Sequence, residues 1–271
     1  MIINHNMNAL NAHRNMGINN TAAGKSMEKL SSGLRINRAG DDAAGLSISE
    51  KMRGQIRGLE QASRNSQDGI SMIQTAEGAL NETHSILQRM RELAVQAGND
   101  TNVTADRTAI ASEMDQLQQE ITRISDQTEF NTQNMFKTGV TATFQVGANK
   151  DQTISVSFGS MSAGALGVET MSVAVSTQAG ATAAICTIND AITKVSTERS
   201  KLGAIQNRLE HTIANVDNAA ENLTSAESRV RDVDMAKEMM AFSKNNILQQ
   251  AAQAMLSQAN QQPQNVLSLL R

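Results

Sequence analysis

Apolar side chains recur at every third or fourth position along most of this 271-residue chain. The longest run keeps alternating spacings of three and four from Leu202 to Val233, and similar runs cross residues 46–97 and 105–127. These spacings place side chains on one face of an α-helix, and their strict alternation is typical of a coiled-coil seam. The pattern therefore predicts three long helices. The short polar turn at 98–104 predicts that the helices of residues 46–97 and 105–127 lie antiparallel.

Both ends of the chain also have a helical pattern, with thinner apolar stripes. One stripe crosses residues 1–34 and another runs from Met239 to Ala259. We expect Pro263 to end or kink the second helix, because proline lacks a backbone N–H. Apolar helices that find no core within the chain usually bind an external surface. We therefore expect the terminal helices to pair with each other and with other molecules.

The apolar period changes to two at about 141–158, which predicts a β-hairpin. The predicted fold class is mainly α: a long antiparallel coiled-coil helix hairpin or bundle with one small β-hairpin and paired N- and C-terminal helices. The predicted domains are a terminal-helix domain (1–45 and 233–271) and a helical bundle (46–232). A Gly, Ser, Ala and Thr-rich linker at 159–182 is the natural place for an insertion.

Composition supports packed helices over a thick globular core. Only 2% of residues are aromatic, there is one proline, and 15 methionines supplement Leu, Ile, Val and Ala. The net charge of −3 and the lack of a basic stripe argue against nucleic acid as a partner. No apolar run is long enough for membrane insertion, and a conventional secretory signal is missing. Composition alone predicts a cytoplasmic protein, unless a dedicated exporter recognises the chain.

Candidate chemistry is sparse. The glycine-punctuated stretch 30–49 matches neither GxxxxGK[ST] nor GxGxxG. Adjacent Asp41 and Asp42 suit a solvated or capping role better than acid–base catalysis. The four histidines have no metal-ligand spacing, and Cys186 is interpreted as a small apolar residue rather than a nucleophile. We therefore expect no catalytic, cofactor-binding or metal residues, and an enzyme is the weakest interpretation.

Several long segments resemble bacterial flagellin, the subunit of the flagellar filament. They are LSSGLRINRAGDDAAGLSISEKMRGQIRGL (30–59), QDGISMIQTAEGALNETHSILQRMRELAVQAGNDT (67–101), FQVGAN (144–149), AENLTSAESRVRDVDMAKEM (220–239) and QAMLSQANQQPQNVLSLLR (253–271). The resemblance covers nearly the whole chain outside about 160–195. It implies a subunit whose terminal helices pair in the inner tube of the filament. It also implies a short form, in which the central variable insertion is reduced to the linker.

The resemblance implies a structural role in swimming motility, in a helical homopolymer outside the cell. Other implied partners are the flagellar cap, the hook-junction proteins, a cytoplasmic export chaperone and the export apparatus, through which the chain leaves without a cleaved signal peptide. On this basis the expected subunit–subunit contacts are Ile3, Met7, Leu10, Arg35, Arg38, Asp41, Asp42, Phe242, Leu248, Met255, Leu256, Leu267 and Leu270.

The segment QRMRELAVQ resembles the part of flagellins that their host Toll-like receptor senses. The implied receptor contacts are Arg89, Leu93 and Glu113. Two alternatives stay open. One is a hook–filament junction protein with similar terminal helices. The other is a cytoplasmic coiled-coil signalling hairpin, which would lack the β-hairpin and the apolar termini.

Overall fold

A computed structural model of the chain describes residues 6–269, and the side chains of residues 6–262. The described chain is mainly helical, with two antiparallel strand pairs. In order, the elements are α1 (Met7–Ser32), α2 (Ala43–Ala97), α3 (Thr104–Gln127), β1 (Glu129–Phe130), β2 (Gln133–Asn134), β3 (Val140–Gln145), β4 (Thr153–Phe158), α4 (Ala163–Leu166), α5 (Met171–Ala174), α6 (Gln178–Arg231) and α7 (Met235–Leu269).

The chain divides into two compact units. The terminal unit comprises Met1–Gly54 and Glu221–Arg271, and the central unit comprises Gln55–Ala220. Each unit is described separately below.

In the central unit, α2 and α3 lie antiparallel, as the short polar turn between them predicts. Arg107 Nε donates to the carbonyl of Ala97 at 3.1 Å, close to the turn. Further along, the guanidinium of Arg89 lies 2.9 Å from a carboxylate oxygen of Glu113. The core contains the apolar stripes of both helices and that of α6, and its fully buried members include Leu80, Leu87, Met90, Met114, Ile121, Leu202 and Leu209.

The predicted β-hairpin is present, with β3 and β4 paired from Val140 opposite Phe158 to Gln145 opposite Thr153. Burial alternates along β4, because successive side chains in a strand point to opposite faces. Asn65 on α2 donates its side-chain amide to the carbonyl of Gln145 at 3.1 Å, which fixes the hairpin against the helix.

The β1–β2 pair is not predicted from the sequence. It is too short for an alternating pattern to be visible. Asn131 and Thr132 join the strands, and both have positive φ values, 49° and 64°. Asparagine tolerates this conformation better than most residues, whereas a β-branched threonine adopts it rarely.

Residues 159–182 are folded, although their composition suggests a linker. They contain α4 and α5, and Ser162 caps α4 by accepting from the amide of Ala165 at 3.3 Å. Several apolar side chains of this segment lie in the central core, namely Met161, Leu166, Val168, Met171 and Val175. Helices of four residues are too short to produce a detectable period, so the sequence pattern gives no sign of them.

In the terminal unit, α1 and α7 are paired and antiparallel, as expected. The side-chain amide of Asn6 donates to the carbonyl of Ala259 at 2.8 Å, and at the other end of α1 the chain at Leu34 forms a β-bridge with Asp232. The sequence predicts that Pro263 ends or kinks the second helix; α7 continues past it to Leu269, so the first of these alternatives is wrong. Pro263 has no N–H to donate to the carbonyl of Ala259, four residues earlier, and Asn6 supplies that missing donor.

Candidate assembly surface

Large apolar side chains remain exposed mainly in the terminal unit. On α1 and α7 the exposed large apolar residues are Met7, Leu10, Ile18, Met27, Met235, Met239, Met240, Ile247, Leu248 and Met255. Small residues instead fill the buried positions of these helices, including Ala23, Ser26 and Ala259. Large apolar side chains exposed in this number along two paired helices indicate an interaction site. We call these ten exposed side chains the terminal apolar surface.

Four of the expected subunit contacts belong to this surface. Met7, Leu10 and Met255 are 68%, 67% and 60% exposed, and Leu248 is 40% exposed. Phe242 and Leu256 are half-buried. Three further expected contacts lie outside the described side chains, namely Ile3, Leu267 and Leu270.

Sequence reasoning left several members of this surface out of the expected contacts. Met240 and Ile247 directly follow or precede residues of the recognised stripe, so a single helical stripe excludes them. Their exposure shows that apolar side chains face more than one direction around α7. A search for residues around the whole helix, rather than along one face, could have found them.

The segments that connect the terminal helices to α2 and α6 pair with each other. Arg35 donates its backbone amide to the carbonyl of Arg231 at 2.7 Å, and Val233 donates to the carbonyl of Gly33 at 3.0 Å. Gly33 ends α1 with a φ of 73°, a left-handed conformation that favours glycine. The two connections are therefore held as one short double-stranded link within the terminal unit.

The two arginines expected at subunit contacts have partners inside the chain. The guanidinium of Arg35 donates to the carbonyl of Val230. Arg38 Nε lies 2.9 Å from a carboxylate oxygen of Glu28, while its side chain stays 76% exposed. Arg38 therefore keeps most of its surface available for another contact.

The two aspartates hold the connecting loop and the start of α2. Asp42 accepts from the amide of Gly45 at 2.9 Å, which is the capping role suggested by its position. Asp41 accepts from the amides of Arg38 at 3.1 Å and Asn37 at 3.3 Å. These backbone donors, Arg38 first, hold the pKa of Asp41 below its ordinary value because they stabilise the charged carboxylate.

The three expected immune-receptor residues lie in the central unit, in different environments. Arg89 is bonded through its guanidinium to Glu113 and, at 3.1 Å, to Glu92. The hydrogen bond to Glu113 is the main cause of the raised pKa of Arg89. Leu93 is only 1% exposed and belongs to the central core.

The other candidate chemistry is limited. Cys186, interpreted from the sequence as a small apolar residue rather than a nucleophile, is an exposed free thiol on α6. Within residues 6–269, no helix is long and apolar enough to cross a membrane. Across the same residues, no group of three or more His, Cys, Asp or Glu side chains could hold a metal ion.

Two family models match the chain. The model described as the bacterial flagellin N-terminal helical region matches residues 3–141, and the bacterial flagellin C-terminal helical region matches residues 185–270. The chain is 63% identical to a flagellin of Halalkalibacterium halodurans over 272 residues, with both proteins covered completely. It is 56% identical to a flagellin of Bacillus subtilis over 305 residues, again with complete coverage of both.

A solved structure shares the fold at low sequence identity. The structure of a putative flagellar hook-associated protein from Vibrio parahaemolyticus aligns with a TM-score of 0.62 at 12% identity. The alignment covers 71% of this chain and 100% of that protein. At this identity the likeness supports the helical architecture alone.

Proposed function

This chain belongs to the bacterial flagellin family, and from that premise we propose that the terminal apolar surface joins it to neighbouring subunits. The chain is a structural subunit that polymerises into the extracellular flagellar filament used for swimming. It is a short member of the family, since its 271 residues align with the Bacillus subtilis flagellin over 305 positions.

Family membership also bears on the two alternatives. A signalling hairpin was expected to lack a β-hairpin, whereas β3 and β4 form one here. Identity of 63% to a flagellin over the full length favours the filament subunit over a hook–filament junction protein.

The exposure of ten large apolar side chains on two paired helices carries the proposal. Burying one such side chain contributes about 1.5–3 kcal/mol, before the costs of association are subtracted. A surface with several of them can therefore support a permanent interface. When the contacting surfaces of a subunit differ and their rotation does not close, repetition produces a filament rather than a ring.

Substitution on this surface separates assembly from folding. We expect the Leu10→Ser, Leu248→Ser variant to keep the thermal unfolding of the unaltered chain, since both side chains are exposed. Its critical concentration for polymerisation should rise by about tenfold or more, because 1.4 kcal/mol corresponds to a factor of ten. Electron microscopy and sedimentation measure this, with Val173→Ser as the control on an exposed central residue. An unchanged critical concentration would contradict the proposal.

The connecting segments supply the second proposed contact. Arg38 is largely exposed beyond its ion pair with Glu28, and we assign it a charged contact to a neighbouring subunit. Arg35, Asp41 and Asp42 support that contact by holding the loop in place. An Arg38→Glu variant should polymerise less well at low salt. If this variant polymerises at the same critical concentration as the unaltered chain, Arg38 does not contact a neighbouring subunit.

The proposed immune recognition rests on the ion-paired face of α2 and α3. Arg89 and Glu113 are about half exposed and present polar groups to a receptor. The buried Leu93 is assigned a positioning role, because it packs in the core about one helical turn after Arg89 on α2. Arg89→Ala should reduce signalling by the receptor for flagellin without unfolding the chain. Equal signalling at equal monomer concentration would contradict this assignment.

Export completes the proposed partners. The resemblance to flagellins supports passage through the flagellar export apparatus, delivery by a cytoplasmic chaperone, and contacts with the cap and hook-junction proteins. Cells lacking a working export gate should retain the chain inside. Release of the chain at the normal rate from such cells would contradict this route.

A further inference from the structure

The methionines of the described chain divide between the two units by exposure. All the exposed ones belong to the terminal unit, where their exposed fractions run from 49% to 68%: Met7, Met27, Met235, Met239, Met240 and Met255. All the buried ones belong to the central unit, where none exceeds 8%: Met72, Met90, Met114, Met135, Met161 and Met171. Met16 and Met52, also in the terminal unit, are half-buried.

Exposure decides how readily a methionine thioether is oxidised. A peroxide or hypochlorous acid must reach the sulfur, and a tightly packed core excludes both. With hydrogen peroxide, the sulfur donates an electron pair to one oxygen, a sulfur–oxygen bond forms, the O–O bond breaks and water leaves. The product is methionine sulfoxide, which is polar and chiral.

We propose that the six exposed methionines of the terminal unit are oxidation sites of the unassembled chain, and that oxidation there blocks polymerisation. This rests on the proposed role of the terminal apolar surface in joining subunits. The same six side chains belong to that surface, so each sulfoxide places a polar S=O group where an apolar contact should form. Assembly in turn covers the sulfurs and protects them.

The modification is also reversible in principle. Enzymes that reduce methionine sulfoxide act on one sulfur epimer each, so a pair of them restores the thioether. The unassembled chain is thus the form that needs such repair, and the filament is the form that resists damage. The central unit stays folded during the same treatment with oxidant, because its methionines are packed in the core.

A peroxide titration with peptide mapping tests the pattern. All arms carry Cys186→Ser, because the exposed thiol also reacts with peroxide. Free chain and preformed filaments receive the same dose, catalase stops the reaction, and mass spectrometry measures the added oxygen at each methionine. In the free chain we expect oxygen at the six exposed methionines while the buried six stay reduced. In filaments the exposed six should react much more slowly.

Sedimentation then measures the consequence for assembly. Free chain oxidised at the six sites should lose most of its polymerisation, and treatment with both sulfoxide reductases should restore it. A variant with leucine at all six positions should polymerise equally before and after peroxide. If that variant does not polymerise untreated, the reductase rescue decides alone.

Three results would overturn the proposal. They are early oxidation of buried methionines in the folded chain, equal reaction in free chain and filament, and normal polymerisation of the oxidised chain. These are distinct from failure of the proposed function. If Leu10→Ser, Leu248→Ser does not raise the critical concentration of the untreated chain, the proposed assembly surface is wrong. That conclusion holds even if the six exposed methionines oxidise first.

Discussion

The terminal and central units are both built from helices with apolar stripes, but they bury side chains of different size. In the central unit the large residues point inward, as Leu87 and Met114 do, and they are fully buried. In the terminal unit small residues such as Ala23 and Ala259 are buried between the helices, while Leu10 and Met255 point outward. The first arrangement completes a core within one chain. The second leaves large apolar surface that a neighbouring molecule can cover.

This difference explains how one chain both stays folded alone and polymerises. Buried leucine, isoleucine and methionine supply most of the stability of a helical core. Small residues let α1 and α7 approach closely but contribute little buried area. The terminal unit is therefore built to gain its main stabilisation on assembly.

Removing the terminal helices should have the largest effect. A chain of residues 43–234 keeps α2 to α6 and loses α1 and α7. We expect no filaments at any concentration, together with cooperative thermal unfolding of the remaining helices. Electron microscopy and circular dichroism measure the two properties. Filaments formed by this fragment would show that the terminal surface is dispensable.

A large-to-small change in the central core should lower stability next most. Leu87 is fully buried, and Leu87→Ala should cost about 2–5 kcal/mol of unfolding free energy, because it removes buried methyl groups and leaves a cavity. The matched control is Val95→Ala on the same helix, where the side chain is exposed and the cost should stay below about 0.5 kcal/mol. Equal losses in denaturant unfolding would mean that α2 buries a different face.

The contact between Asn6 and Ala259 should contribute a smaller amount. Asn6 caps α1 by accepting from the amide of Ala9 at 3.1 Å and donates to the carbonyl that Pro263 leaves without a helical donor. Asn6→Ala should therefore cost about 1–2 kcal/mol.

Pro263→Ala supplies the partner variant for a double-mutant cycle. Alanine restores an N–H that can donate to the carbonyl of Ala259, so Asn6→Ala should cost less in this background. Thermal unfolding of the four chains measures the difference. Equal costs in both backgrounds would mean that Asn6 acts only as the cap of α1.

The smallest effect concerns the pH dependence of the terminal unit. The pKa of Asp41 is lowered in the folded chain from its ordinary value of 3.8. A lowered pKa means that the carboxylate stabilises the fold above about pH 3.8 and that this contribution is lost as the pH falls through the lower folded value. Asp41→Asn should slightly flatten the pH dependence of thermal unfolding below about pH 3.8. An identical profile in both chains would show that Asp41 does not stabilise the loop.

The sequence predicts the long elements well because their apolar patterns repeat over many residues. The seams of α2, α3 and α6 and the alternation of β3 and β4 each extend over enough residues to be recognised. The four-residue helices α4 and α5 and the two-residue strands leave no period. Their packing depends on contacts distant in sequence, which a local pattern cannot reveal.

The candidate site is predictable in part for the same reason. Periodicity places Met7, Leu10 and Met255 on the apolar stripes of the terminal helices. Whether these side chains are exposed depends on which face of α1 meets α7. Helix α7 continues through Pro263, and the carbonyl of Ala259 accepts from Asn6, more than two hundred residues away, a contact that no local pattern reveals. Leu93 is buried in the central core, whereas Arg89 is about half exposed, and resemblance alone does not separate the two.

A filament reconstruction by electron cryo-microscopy tests the central claim most directly. We predict that Met7, Leu10, Leu248 and Met255, all exposed in the single chain, are buried between subunits in the filament. The core of the central unit should be unchanged, with Leu87 and Met114 still packed within one chain. A filament in which these four terminal side chains face solvent, while other surfaces join the subunits, would contradict the account.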